Sequence, residues 1–74
     1  MQYIIPEAGM ISLKIFDLKG REITTLMEGP VSNGTHNTAW NGRNDLDEVT
    51  VSGLYFVTLR YKNFTLSRKI TLLR

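Results

Sequence analysis

The stretch that most limits what this chain can fold into is its end, Gly53 to Arg74: Gly-Leu-Tyr-Phe-Val-Thr-Leu-Arg-Tyr-Lys-Asn-Phe-Thr-Leu-Ser-Arg-Lys-Ile-Thr-Leu-Leu-Arg. It reads as two strands joined by a two-residue turn at Lys62-Asn63, where Asn63 tolerates the positive φ that such turns require. That turn sets Tyr61 opposite Phe64, Leu59 opposite Leu66, Val57 opposite Arg68, Tyr55 opposite Ile70 and Gly53 opposite Leu72. Side chains alternate between faces with period two. One face therefore carries Tyr55, Val57, Leu59, Tyr61, Phe64, Leu66, Ile70 and Leu72. The other carries Thr58, Arg60, Lys62, Thr65, Ser67, Lys69 and Thr71, with Leu54, Phe56 and Leu73 as exceptions. A one-residue slip would turn the apolar set into water, so the register is strongly specified. A hairpin this apolar on one side is not stable alone. Residues 1–52 must supply the opposing layer.

At 74 residues the chain makes one domain, spanning 1–74. A domain of this size buries only about 60% of its unfolded surface. The chain has no cysteine, so neither a disulfide framework nor a thiolate metal site compensates. Its 42% hydrophobic and 22% charged residues are ordinary proportions for a folded module. No run reaches the roughly 18 apolar residues of a membrane span, and no charged-then-apolar signal segment opens the chain. The abrupt start, Met-Gln-Tyr-Ile-Ile-Pro, reads as a piece of a longer protein that lacks its first few module residues.

The net charge of +2 hides an asymmetry. Residues 1–50 set Lys14, Lys19, Arg21 and Arg43 against all seven acids, a net of −3. Residues 51–74 hold Arg60, Lys62, Arg68, Lys69 and Arg74 with no acid, a net of +5. A nucleic-acid footprint would interleave aromatics with these bases, and the polar face has none in that position. The basic face reads instead as a solvated strand surface whose charges discourage edge-to-edge pairing. No nucleic-acid partner is expected.

Upstream, residues 2–5 form a short apolar strand ended by Pro6, and Pro-Glu-Ala-Gly at 6–9 is a turn. Residues 10–18 alternate, with Ile11, Leu13 and Ile15 on one face. Asp17-Leu18-Lys19-Gly20 closes that strand, and Gly20 is free to take the left-handed conformation. From Arg21 a third strand follows, with Ile23, Thr25 and Met27 alternating with Glu22, Thr24 and Leu26. Glu28-Gly29-Pro30 and Ser32-Asn33-Gly34 punctuate a loop. His36, Thr38 and Trp40 then share one face of a fourth strand. Short strands separated by turn signals every 8–12 residues specify an all-β sandwich of about six to seven strands. No stretch has helical periodicity, and there is no internal repeat.

Residues 41–52 are the one polar cluster with the makings of chemistry. Asn44, Asp45, Asp47 and Glu48 are oxygen donors of the kind Ca²⁺ takes. Their spacing is not the Asp-x-Asp-x-Asp-Gly pattern that wraps a short loop around the ion, so a turn-rich connection is the better account. His36 is the sole histidine, and no nucleophile elbow accompanies it. A half-buried strand histidine explains it. Trp40 could stack on a sugar, but its alternation with His36 and Thr38 places it in the core. Asn33-Gly-Thr and Asn63-Phe-Thr match the glycosylation sequon, which matters only in a eukaryotic secretory pathway. No cofactor is implied.

Taken together, these residues resemble a known family. Tyr3-Ile-Ile-Pro6-Glu-Ala-Gly9 and Ile11-Ser-Leu13-Lys-Ile15-Phe-Asp17-Leu-Lys-Gly20-Arg21-Glu-Ile23-Thr-Thr-Leu26 look like the opening of the type A C-terminal sorting domain of type IX secretion substrates. Gly34-Thr-His36, Trp40-Asn-Gly42, Ser52-Gly53-Leu-Tyr55-Phe56 and the closing Arg68-Lys69-Ile70-Thr-Leu72-Leu73-Arg74 continue it. The same pattern is shared with the immunoglobulin-like domain of the flagellar hook-cap protein, towards which the loop after Trp40 leans. Relatives usually carry a glycine where Asp47 or a neighbour stands here. They carry a β-branched apolar residue in place of Thr38.

The resemblance implies an immunoglobulin-like antiparallel sandwich without helices and without catalysis, secreted or displayed at the surface of a Gram-negative-type bacterium. It implies that Lys69, Ile70, Leu72, Leu73 and Arg74 form the address read by outer-membrane secretion machinery. Gly20, Arg21, Trp40, Gly53 and Tyr55 would shape the module that presents them. The alternatives are a structural module, in hook-cap assembly or as a spacer behind an enzyme, and a carbohydrate-binding accessory. Implied partners are proteins, including the upstream domain of the same chain. An exposed strand edge also offers a route to a homodimer.

Overall fold

In the computed structural model, which describes residues 1–73, six strands form two antiparallel sheets. They are β1 (Gln2–Ile5), β2 (Gly9–Phe16), β3 (Glu22–Val31), β4 (Gly34–Asn37), β5 (Gly53–Tyr61) and β6 (Phe64–Leu72). β1 pairs with β4, while the larger sheet runs β3–β2–β5–β6. The β5–β6 register is the one the hairpin pattern demands, from Gly53 opposite Leu72 to Tyr61 opposite Phe64. Its turn differs in one respect. The positive φ, 53°, falls on Lys62 rather than on Asn63.

The core is built where alternating strands meet. Ile11, Leu13 and Ile15 of β2 lie directly opposite Tyr61, Leu59 and Val57 of β5, and all six are buried together with Tyr55. From the small sheet only Ile5 is fully enclosed, with Tyr3 half-buried beside it. The larger sheet therefore supplies most of the apolar layer, and the smaller one covers part of it.

Three further expectations need correction. Gly29 and Pro30 do not form a loop. β3 continues through them to Val31, with Pro30 opposite Met10. This is possible because β3 is an edge strand, where a missing N–H costs no ladder bond on the open side. The alternation expected in β3 is also broken, by register shifts at Leu13/Lys14 and Ile15/Phe16. These irregularities let Ile23, Leu26 and Met27 all reach the core, which a regular strand would forbid. Finally, β4 ends at Asn37, so Thr38 and Trp40 lie beyond it. Trp40 still packs on the core.

The second strand of the terminal hairpin departs most from its pattern. On the inward face of β6, Ile70 and Leu72 are half-buried, but Phe64 is 56% and Leu66 38% exposed. The small sheet does not reach over them. Ile15→Ala should accordingly cost about 2–5 kcal/mol, because it opens a void at a fully enclosed site. Leu66→Ala should cost about 1 kcal/mol or less. Urea unfolding of both variants checks the contrast, and equal losses would mean that β6 is covered after all.

Candidate interaction surfaces

The residues singled out on the terminal strand point in different directions. Ile70, opposite Tyr55, and Leu72, opposite Gly53, face inward. Lys69, opposite Phe56, faces out and is exposed. Leu73 follows the strand at 84% exposure, and Arg74 lies outside the described residues. β6 is the edge of its sheet, so the side of the strand away from β5 carries no ladder. Arg68 shares the inward face with Leu66 and Ile70, which its position opposite Val57 requires.

Between β6 and β1 the sandwich stays open. Two cavities of about 310 and 580 Å³ lie along this seam. The first is bordered by Tyr3, Leu66, Arg68 and Ile70, the second by Ile4, Pro6, Tyr61 and Phe64. A clasp closes the hairpin-tip end. The Tyr61 hydroxyl donates to the Glu7 carbonyl at 2.6 Å and accepts from the Glu7 N–H at 3.1 Å. The Lys62 ammonium meets the Glu7 carboxylate at 2.6 Å. That hydrogen bond, reinforced by the opposite charge, lowers the Glu7 pKa and raises that of Lys62.

At the other end of the sandwich, polar side chains build the turns. Asp17 organises the β2–β3 hairpin. Its carboxylate accepts from the N–H groups of Lys19 and Arg21, each at 2.9 Å, and from the Arg21 guanidinium at 2.8 Å. The Gly20 N–H closes the turn on the Asp17 carbonyl, with Gly20 at φ 84° as its expected left-handed role requires. The Asp17 pKa is held below the usual aspartate value, first by the Arg21 N–H. The Arg21 guanidinium and the Lys19 N–H add to this, and partial burial opposes it.

Gly53 and Tyr55 serve the start of β5. Gly53 takes φ 155°, and the Tyr55 hydroxyl donates to the Val51 carbonyl at 2.7 Å. A tyrosine bonded to backbone a few residues upstream, at the corner leading into this strand, is a hallmark of immunoglobulin sandwiches. Trp40 meets Tyr55 edge-on at 4.9 Å between ring centroids, and its indole N–H donates to the Arg43 carbonyl. His36 stacks on Tyr3 at 5.4 Å and donates through Nε2 to the Ser32 carbonyl. Both rings have structural work.

The four oxygen donors of the 41–52 loop do not converge. Asp45 reaches across to β3, accepting from the Thr24 hydroxyl at 2.8 Å. Asn44 folds its own turn, accepting from the N–H groups of Leu46 and Glu48. Glu48 accepts from the Asn44 amide, and Asp47 lies beside Arg43. Among the described residues no three His, Cys, Asp or Glu side chains gather as metal ligands would. Asp47 sits at φ 61°, the left-handed conformation that the relatives' glycine would take more easily. The sequence places Asp17 at the head of the Asp17-Leu18-Lys19-Gly20 turn, but the gathering of three donors by its carboxylate was not anticipated, although an Asp heading a tight turn is a legible Asx signal. Asp45 was expected only as one of four oxygen donors, and its bond to Thr24, 21 residues away, is one that no local pattern announces.

A family model described as the FlgD Ig-like domain matches residues 4–64, from within β1 to the first residue of β6. Neither the curated proteins nor the solved structures give a significant match to the chain. The match stops short of Lys69, Ile70, Leu72, Leu73 and Arg74.

The Asp17 turn has a pH signature. A carboxylate whose pKa falls on folding stabilises the fold above its unfolded value, and that contribution is lost as pH drops through the folded value. Asp17→Asn should therefore be less stable than the parent chain at neutral pH. The gap should close as pH falls below 3.8, the ordinary aspartate value. Thermal melts of both proteins across that range provide the check, and a gap independent of pH would exclude the charged turn as its source.

Proposed function

The chain belongs to the FlgD Ig-like domain family, and on that premise we propose that it is a non-catalytic structural module joining its parent protein to protein neighbours. The observation that carries this reading is the family match across residues 4–64. The surface supports it. Ile4, Phe64 and Leu66 leave an apolar seam exposed on a small domain, as a protein-binding surface does. The polar clusters are occupied in turns, which suits a scaffold. The reading calls for no cofactor.

Replacing the immunoglobulin-like domain of a flagellar hook-cap protein with residues 1–74 tests it. Hooks counted by electron microscopy should be restored relative to a domain-deleted control. A stably folded graft that restores none would overturn the assembly reading.

The terminal strand supports a second reading, export. β6 is an open edge carrying exposed Arg68 and Lys69, a strand that a receptor could dock without any cleft. On this reading the module marks a protein for type IX secretion to the cell surface, and Lys69, Ile70, Leu72, Leu73 and Arg74 are its address. A passenger fused to residues 1–74 should then be secreted by a type IX-competent bacterium. Removing residues 70–74 should abolish secretion, and continued export of the trimmed fusion would sink the reading.

A further inference from the structure

The larger sheet has a second face, turned away from β1 and β4. Side chains alternate, so the residues between the buried ones of β2 and β5 point to it, and the register sets them in rows across all four strands. From β3 to β6, one row reads Glu22, Phe16, Phe56, Lys69. The next reads Thr25, Lys14, Thr58, Ser67, and the third Glu28, Ser12, Arg60, Thr65. The first row is its own complement: acid, aromatic, aromatic, base, which read backwards sets each charge against its opposite.

We propose that this face is the interface of a symmetric dimer, with a second copy of the chain packed sheet to sheet about a two-fold axis parallel to the strands. That axis lays β3 of one protomer over β6 of its partner, and β2 over β5. Glu22 then meets the partner's Lys69 and Phe16 meets the partner's Phe56, each contact occurring twice. In the third row Arg60 lies over the partner's Ser12, one strand from the partner's Glu28. The strands of the two sheets stay aligned, as is common for sheets stacked about 10 Å apart. The face lies on the far side of the sheet from the layer that holds Met1, and the inference stands whether the module serves assembly or export.

Charge and exposure agree with this pairing. In the three rows, β3 and β2 carry two acids and Lys14, a net of −1, while β5 and β6 carry Arg60 and Lys69, a net of +2. Both of those cations are exposed, and no described residue forms an ion pair with either. On the acid side, Lys14 holds Glu22 at 3.1 Å but reaches Glu28 only at 3.9 Å. Phe16 and Phe56 are half-buried side by side, and Leu54 continues the apolar strip at 39% exposure. An apolar centre with charges at its rim is the layout of a specific interface. Four strands spaced about 4.8 Å apart and about eight residues long present roughly 500 Å² per protomer, about 1,000 Å² in total, at the low end for a specific pair. The dimer is accordingly weak and reversible.

Sedimentation equilibrium of the 74-residue chain up to about 1 mM should show that monomer–dimer exchange. Glu22→Lys and Lys69→Glu, their folds checked by circular dichroism, should each weaken it by about tenfold, because one reversal sets like charges together at both ends of a symmetric pair. An equimolar mixture of the two variants should associate more tightly than either alone, since every such contact again joins an acid to a base. In NMR spectra of the parent chain, dilution should move the amide signals of Phe16, Phe56 and Lys69 and leave those of Tyr3 and His36 in place. That measurement needs no variant, so it decides the surface even if Glu22→Lys, beside Lys14, fails to fold. A parent chain that stays monomeric up to about 1 mM would overturn the proposal. So would a dimer that both reversals leave intact, a mixture no tighter than its components, or dilution shifts confined to a strand edge or to the small sheet.

Discussion

Everything in this molecule depends on β2 lying against β5. Ile11, Leu13 and Ile15 each face an apolar partner across that pair, and these residues supply most of the buried set. The strands are central in their sheet, so both of their edges are paired and both have alternating faces. In a chain this short there is little else to exclude water, and no disulfide adds to it. The other strands are arranged around this pair according to how much of it they must still cover. β1 and β4 cap it through Ile5 and Tyr3. β6 is held chiefly by its ladder to β5.

That arrangement explains which parts of the fold were legible in advance. Strict alternation made β2 and β5 readable residue by residue, and the hairpin register followed from the turn. What alternation cannot report is the extent of the opposite layer. Phe64 and Leu66 obey the apolar pattern, yet the small sheet is too narrow to bury them. Gly29-Pro30 failed as a loop signal for a related reason. Turn chemistry assumes a central position, and an edge strand tolerates proline. The contacts that escaped notice altogether, Asp45 with Thr24 and Tyr61 with Glu7, join residues 21 and 54 positions apart. Only topology brings such pairs together.

The same logic separates scaffold from surface. Gly20, Arg21, Gly53 and Tyr55, expected to shape the module, each sit in a turn or at a corner: the glycines at positive φ, Arg21 with its guanidinium on Asp17 and Tyr55 with its hydroxyl on the Val51 carbonyl. Asp17 belongs with them, because its carboxylate gathers three donors into one turn. The polar side chains among them are engaged in the turns they build. The side chains that are left over, Ile4, Phe64, Leu66 and Arg68, lie along the seam and were legible only as members of a strand face.

The edges of the two sheets show why that seam stands apart. Exposed strand edges invite pairing with other chains, and folded proteins blunt them. β3 is blunted by two register shifts and by Pro30. Its outward acids Glu22 and Glu28 are drawn to Lys14 of the neighbouring strand. β6 is blunted by charge, with Arg68 and Lys69 exposed near its middle. β1 has neither device. Its edge residues Gln2 and Ile4 are uncharged, and Pro6 follows the strand rather than interrupting it. Only its length of 4 residues limits it. Of these three edges, that of β1 is therefore the one whose own described residues carry least protection, and short length is the device left to it.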